Sequence, residues 1–220
     1  MIEYIVPGNI DDRLLSKAAN LLKEGGTVAI PTDTSWSIVC SMNSRDGLKR
    51  LRLLSKERDE SRFTLICSDI CQFGELCSLD NSRFRLIKRL TPGPYVFILK
   101  TLLGTEKTLG LRRREIGIRL PDYPVPLALI NALGCPLYSI TAKRDMSENE
   151  SEPGQQDQRY ADFIPGEEYL FEGGWELDEI QGLDLVLDPG EDRNRIFSTV
   201  LDLSSGDIQM LRQGIGNWPI

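Results

Sequence analysis

Three hydroxyl-bearing segments stand out in a sequence that contains no histidine. Pro31-Thr32-Asp33-Thr34 interrupts two apolar runs, Ser139-Ile140-Thr141 closes a third, and Ser198-Thr199 opens Val200–Leu203. Ser and Thr hydroxyls donate to carboxylate and phosphate oxygens, and ligands of α/β sheets gather at strand ends. Any single such hydroxyl more often caps a turn. Cations lie beside comparable turns: Lys56-Glu57-Arg58, Arg119 in GIRLP, and Arg212 in LRQG. Arg119 and Arg212 are embedded in apolar strands, so each needs a buried carboxylate or an anionic ligand as partner. The lack of imidazole removes Ser-His-Asp and Cys-His systems and most zinc chemistry. Hydroxyls and guanidiniums without histidine describe an electrostatic anion clamp rather than a covalent catalyst. No GxxxxGK[ST] occurs, and no GxGxxG follows a strand, so the usual phosphate loops are absent. No metal ligand set is identified.

The five cysteines offer no alternative chemistry. Cys40, Cys67 and Cys135 sit in apolar runs and read as small buried hydrophobes. Cys67, Cys71 and Cys77 match no common zinc spacing. An odd count favours a reducing cytoplasm. Charge is unevenly spread. Residues 45–119 hold 17 Lys/Arg against 9 Asp/Glu, a balance of +8, and the rest of the chain carries −15, giving the net −7. A basic middle suits nucleotide phosphates or an RNA backbone. The plainer reading is a set of solvated helix faces. Arg50, Arg52 and Lys88 are the candidates for RNA contact.

These residues need a scaffold, and the pattern supplies one. Asp11 or Asp12 caps a helix to about Glu24, ended by Gly25-Gly26. Strands follow at 27–30 and 36–40, then a basic helix over 45–55 capped by Ser44. Phe63–Cys67 is strand-like, and helices are expected near 69–77 and 81–90. Strands are expected at 95–100, 116–120 and 137–141, with a helix over 124–133. The polar stretch 145–159 reads as a flexible loop, after which strand patterns resume at 183–187, 199–203 and 208–212. Interleaved elements with nearly all-apolar strands predict an α/β fold whose sheet is covered on both faces. The 220 residues, 40% hydrophobic and 27% charged, suit one domain. No run of 18 apolar residues offers a membrane span, and the N-terminus does not read as a signal peptide.

Several segments in order resemble the YrdC-like family: GGTVAIPTDTSWSIVC, Lys56-x-Arg58, LTPGPYVFILK, IGIRLPDYP, LGCPLYSITA, DLVLDPG with STVLDL, and LRQGIG. They span about residues 11–216 of the single expected domain 1–220. The texture of RFTLICSDI and NSRFRLIKRLTPGPYVFILK is nearest the YciO-like branch. The resemblance implies a three-layer fold with a twisted mixed β-sheet flanked by helices and a concave, positive face. It implies threonylcarbamoyl-AMP synthesis from L-threonine, bicarbonate and ATP, with Mg²⁺ carried by ATP, for t6A modification of tRNA. Association with double-stranded RNA or tRNA is the alternative.

By motif match, Thr32, Thr34, Arg119, Ser139 and Ser198 would bind substrate, with Arg119 on the amino-acid carboxylate. Lys56 and Arg58 would hold phosphate oxygens as the catalytic pair. Thr141, Lys143 and Arg212 would complete the nucleotide site. Where the family has Ser-x-Asn this chain has Thr141-Ala142-Lys143, and Trp36-Ser37 stands for the usual Tyr-Gly. Asn donates and accepts, whereas Lys only donates and adds charge. An adenylate contact is lost, or Lys143 serves phosphate instead. Three functions remain open: the synthase, an RNA-binding relative without catalysis, and a protein acting on another carbamoyl or acyl adenylate.

Overall fold

The computed structural model describes residues 1–55, 63–102, 114–146 and 167–219. Ten strands form one sheet in the order β1-β8-β2-β3-β7-β4-β6-β5-β9-β10. They are β1 (Ile2–Tyr4), β2 (Val28–Ile30), β3 (Ser37–Ser41), β4 (Thr64–Ile66), β5 (Tyr95–Lys100), β6 (Glu115–Arg119), β7 (Leu137–Thr141), β8 (Leu185–Asp188), β9 (Thr199–Asp202) and β10 (Gln209–Arg212). Pairing is mixed. β1–β8, β8–β2, β4–β6 and β5–β9 are parallel, and the remaining neighbours are antiparallel. The α/β, three-layer fold expected from the sequence is the fold observed.

Two helical layers sandwich the sheet. On one face lie α1 (Asp12–Lys23) and the fourth long helix in space, α5 (Pro124–Leu133). Asp11 caps α1 by accepting from the Arg13 amide, and Gly134, at φ +85°, ends α5 in the left-handed region where a side chain would be strained. Leu15, Ala18, Leu22, Val125, Leu129 and Leu133 bury their apolar stripe against Val28, Ile30, Val39, Leu137 and Leu185. The other face carries α2 (Arg45–Ser55), α3 (Cys71–Leu76) and α4 (Asn81–Leu90). Leu48, Leu51, Phe73 and Ile87 pack there on Leu65, Phe97, Ile118 and Tyr138.

The α1/α5 layer reaches Ile66 on β4, the last strand residue it covers. Beyond it, the strands still obey the period of two. Tyr95, Phe97 and Leu99 of β5 point into the α2–α4 side, while Val96 and Ile98 point to the opposite side. Among the described residues no helix packs on that half of the face, where Arg119, Ser139, Ser198 and Val200 are nonetheless buried.

Strand β1 is absent from the sequence reading and lies before the 11–216 span. It is too short to show periodicity, and only its long-range pairing with β8 makes it a strand. Of the polar stretch 145–159, Asp145 and Met146 belong to a 3-10 turn, Arg144–Met146. The rest lies outside the described residues.

Candidate functional site

This half of the sheet face is a hollow built strand by strand. Ser37 comes from β3, Ser139 and Thr141 from β7, Thr64 and Ile66 from β4, and Gly117 and Arg119 from β6. Val96 and Ile98 of β5, then Ser198 and Val200 at β9, carry the wall to Arg212 on β10. Register explains the convergence. Ser139 pairs with Thr64 and Thr64 with Gly117, forming a row across three strands, and Ser37 pairs with Thr141 in a parallel row two residues along. An ideal Cβ on Gly117 would meet Thr64 Oγ1 and Val96 Cγ1 at 3.1 Å. The glycine keeps the floor open.

Five of the sequence candidates therefore meet in one place: Arg119, Ser139, Thr141, Ser198 and Arg212. Ser139 donates to the Thr64 carbonyl at 3.0 Å, which fixes its hydroxyl at the floor. Arg212 donates through Nε to the Ser198 carbonyl at 3.0 Å and lies over the Phe197 ring at 4.9 Å. Backbone and ring together hold its guanidinium against the wall.

Arg119 is the buried cation of the site. Its side chain is 7% exposed and forms an ion pair through Nη2 with Asp33 Oδ1 at 2.6 Å. The same Nη2 donates to Thr34 Oγ1 at 3.0 Å. Burial draws the guanidinium down from its ordinary value, and the Asp33 charge and hydrogen bond oppose that. Of the two partners the sequence left open for Arg119, a carboxylate is one, yet the side chain also lines the hollow. Nε of Arg119 and Oδ2 of Asp33 are buried without a hydrogen-bond partner.

Thr32 and Thr34, expected to bind substrate, are not among the side chains that line the hollow, although Thr34 touches Arg119. The Thr32 hydroxyl donates to the Ser35 carbonyl at 2.7 Å and is wholly buried. Its one proton is thereby used, so in the 3.2 Å contact with Thr34 the Thr34 hydroxyl is the donor. The pair braces the turn that holds Arg119.

Arg193 locks that turn from behind, donating through Nη2 to the Thr32 carbonyl at 2.7 Å. It also stacks on Tyr123 at 4.4 Å. Asp33, Thr64, Gly117 and Arg193 were missed in the sequence. The first sits inside the PTDT segment, where the demand of Arg119 for a carboxylate was the available signal. The others are revealed only by register and by a contact across 161 positions.

Lys143 lies in an isolated bridge with Leu170 and does not line the hollow. Lys56 and Arg58, the expected catalytic pair, lie outside the described residues. Arg50 and Arg52 on α2 and Lys88 on α4 lie in the opposite helical layer, away from the hollow. Arg50 is paired with Asp184 at 2.7 Å. Burial pushes the Cys40 and Cys77 thiols up to about 12, and that of Cys67 higher still. None of these three is a thiolate nucleophile near neutral pH.

The sequence also matches a family model, Sua5/YciO/YrdC, described as "Telomere recombination", over residues 20–176. The chain belongs to this family. Within the Sua5/YciO/YrdC family, YciO of Escherichia coli K12, described as uncharacterized, is 31% identical over 216 residues, covering 97% of this chain and 95% of that one. The threonylcarbamoyl-AMP synthase of Mus musculus is 28% identical over 91% of this chain and 66% of its own. The crystal structure of E. coli YciO superposes with a TM-score of 0.81 at 28% identity, covering 100% of this chain and 98% of that one. P. abyssi Sua5 complexed with L-threonine superposes at 0.78 and 20% identity, over 97% of this chain and 57% of that one. The last likeness is one of fold. The family thus includes named synthases and YciO proteins without an assigned activity.

Proposed function

We propose that the hollow binds L-threonine and ATP and forms threonylcarbamoyl-adenylate with release of pyrophosphate, bicarbonate supplying the carbamoyl carbon. The observation that carries this reading is the meeting of Arg119, Ser139, Thr141, Ser198 and Arg212 in one hollow. Relatives named threonylcarbamoyl-AMP synthase, and a Sua5 of the same fold bound to L-threonine, support the choice of substrate.

The chemistry suits these side chains. The amine of threonine adds to the bicarbonate carbon, and a C–O bond breaks with loss of water to give a carbamate. A carbamate oxygen then attacks the α-phosphorus, and the bond to the β-phosphate bridging oxygen breaks. Such a transfer needs in-line placement and charge neutralisation more than protein acid–base groups. Arg119 would hold the amino-acid carboxylate. Thr141 and Ser198 would donate to carbamate or phosphate oxygens, Ser139, whose proton goes to the Thr64 carbonyl, would accept from the ligand, and Arg212 would face the nucleotide. Val96, Ile98 and Val200 offer an apolar strip for a base.

Lys56 and Arg58 belong to this proposal as phosphate ligands on motif grounds, and Lys143 as the substitute for the family's amide. Among the described residues no trio of carboxylates or thiols gathers to hold a metal ion. Mg²⁺ would enter on the phosphate oxygens of the nucleotide.

Pyrophosphate release tests the proposal. It is expected only with ATP, threonine and bicarbonate together, and ATP and threonine should each raise the melting temperature. No stabilisation by either ligand, or release independent of threonine, overturns it.

A further inference from the structure

Among the described residues Asp33 is the carboxylate paired with Arg119, one of the two arginines that line the hollow. Its side chain is 12% exposed, and its Oδ1 lies 2.6 Å from Arg119 Nη2. The bonds of the guanidinium to Asp33 and to Thr34 run through the same Nη2. Nε of Arg119 and Oδ2 of Asp33 have no hydrogen-bond partner, although both are buried. A largely buried ion pair costs desolvation of both charges, and a pair of hydrophobic residues is often as stable. Its presence at a ligand hollow calls for a reason beyond stability.

The reason lies in net charge. An arginine alone attracts any carboxylate or phosphate. Arg119 with Asp33 carries zero net charge, and although only Arg119 lines the hollow, the neighbouring carboxylate offsets part of the attraction that the guanidinium exerts on an approaching anion. A ligand carrying both signs escapes this penalty: its carboxylate lies toward Arg119, and its ammonium restores attraction to the side on which Asp33 sits. Specificity then comes from a repulsive element built against plain anions.

We infer that Asp33 is a specificity-determining residue, which makes the Arg119 end of the hollow select a zwitterionic α-amino acid over a simple carboxylate. The inference rests on the proposed amino-acid site but concerns a residue that the motif match did not assign. It also gives the Arg193–Thr32 contact a purpose, since that bond fixes the turn carrying Asp33.

The test is calorimetric titration of the full chain with L-threonine and its two halves: 3-hydroxybutanoate, which lacks the amine, and 1-aminopropan-2-ol, which lacks the carboxylate. Threonine should bind wild type at least ten-fold more tightly than either half. In Asp33→Asn, which keeps a hydrogen-bond acceptor without the charge, the preference for threonine over 3-hydroxybutanoate should fall to within two-fold. Asp33→Glu should retain a preference of at least five-fold. A wild type that binds 3-hydroxybutanoate as well as threonine overturns the inference, even where Asp33→Asn fails to fold. So does an unchanged preference in a folded Asp33→Asn. If wild type binds no threonine at all, the amino-acid reading of the site itself falls. A merely structural Asp33 would weaken both ligands in parallel and leave their ratio unmoved.

Discussion

At the scale of single residues, the hollow depends on a missing side chain and a remote guanidinium. Gly117 leaves room that even a methyl group would crowd, since its Cβ would sit 3.1 Å from two neighbours. Gly117→Val should remove the melting-temperature rise produced by threonine or ATP. The cost to the free protein should be about 1–3 kcal/mol, the usual penalty of overpacking, read by urea unfolding. Arg193 reaches the Thr32 carbonyl with one nitrogen and lies on Tyr123. Arg193→Met should cost about 1–3 kcal/mol by leaving that buried carbonyl without its donor. Because the same turn presents Asp33 to Arg119, KM for the amino acid should rise more than kcat falls. Neither residue announces itself in the sequence. A glycine within an apolar strand has many explanations, and a contact spanning 161 positions has no local signature.

At the scale of elements, the 3-10 segment Gly174–Glu179 is tied to the core by one carboxylate. Burial favours the neutral form of Glu176. The amides of Gly173 and Glu172, each donating at 2.9 Å, and Arg144 at 2.5 Å outweigh it and hold the carboxyl below its ordinary range. A carboxyl depressed in the folded state contributes stability that is present above its unfolded pKa and is lost as pH falls through the folded one. Wild type should therefore lose stability on acidification below the ordinary carboxylate range, and Glu176→Gln should show a shallower acid limb in thermal melts against pH. Elements with strong local signals were legible before the fold was seen. α1, α2, α5, β5 and β7 fall within a residue or two of where apolar period, Ser44, Asp11 and Gly134 place them. β1 was not legible, because three residues carry no period and their partner lies at 185–188. The site follows the same division. Arg119 and Arg212 were readable as cations in apolar strands, whereas which hydroxyls share their hollow was set by register. The bonds of Thr32 to Ser35 and Thr34, which brace the turn, were likewise not legible in the sequence.

At the scale of the molecule, the sheet separates two charged regions. The hollow opens on one side, while the helices bearing Arg50, Arg52 and Lys88 pack on the other. An RNA-binding role for those three, expected from the basic middle of the sequence, can thus be tested apart from the hollow. If they serve RNA, replacing all three by Gln should weaken duplex-RNA binding and flatten its dependence on salt. Threonine binding should remain within two-fold of wild type, as titration of both ligands would show. Among the described residues no helix is long and apolar enough to cross a membrane. The parallel partnership of Ile2–Tyr4 with Leu185–Asp188 also has a consequence for biosynthesis. At about 5–20 residues per second, a ribosome takes roughly ten to forty seconds to travel from one segment to the other. Throughout that interval the nascent β1 has no place to dock, and the β2 edge that will receive β8 stays open to any chaperone or stray strand that arrives first.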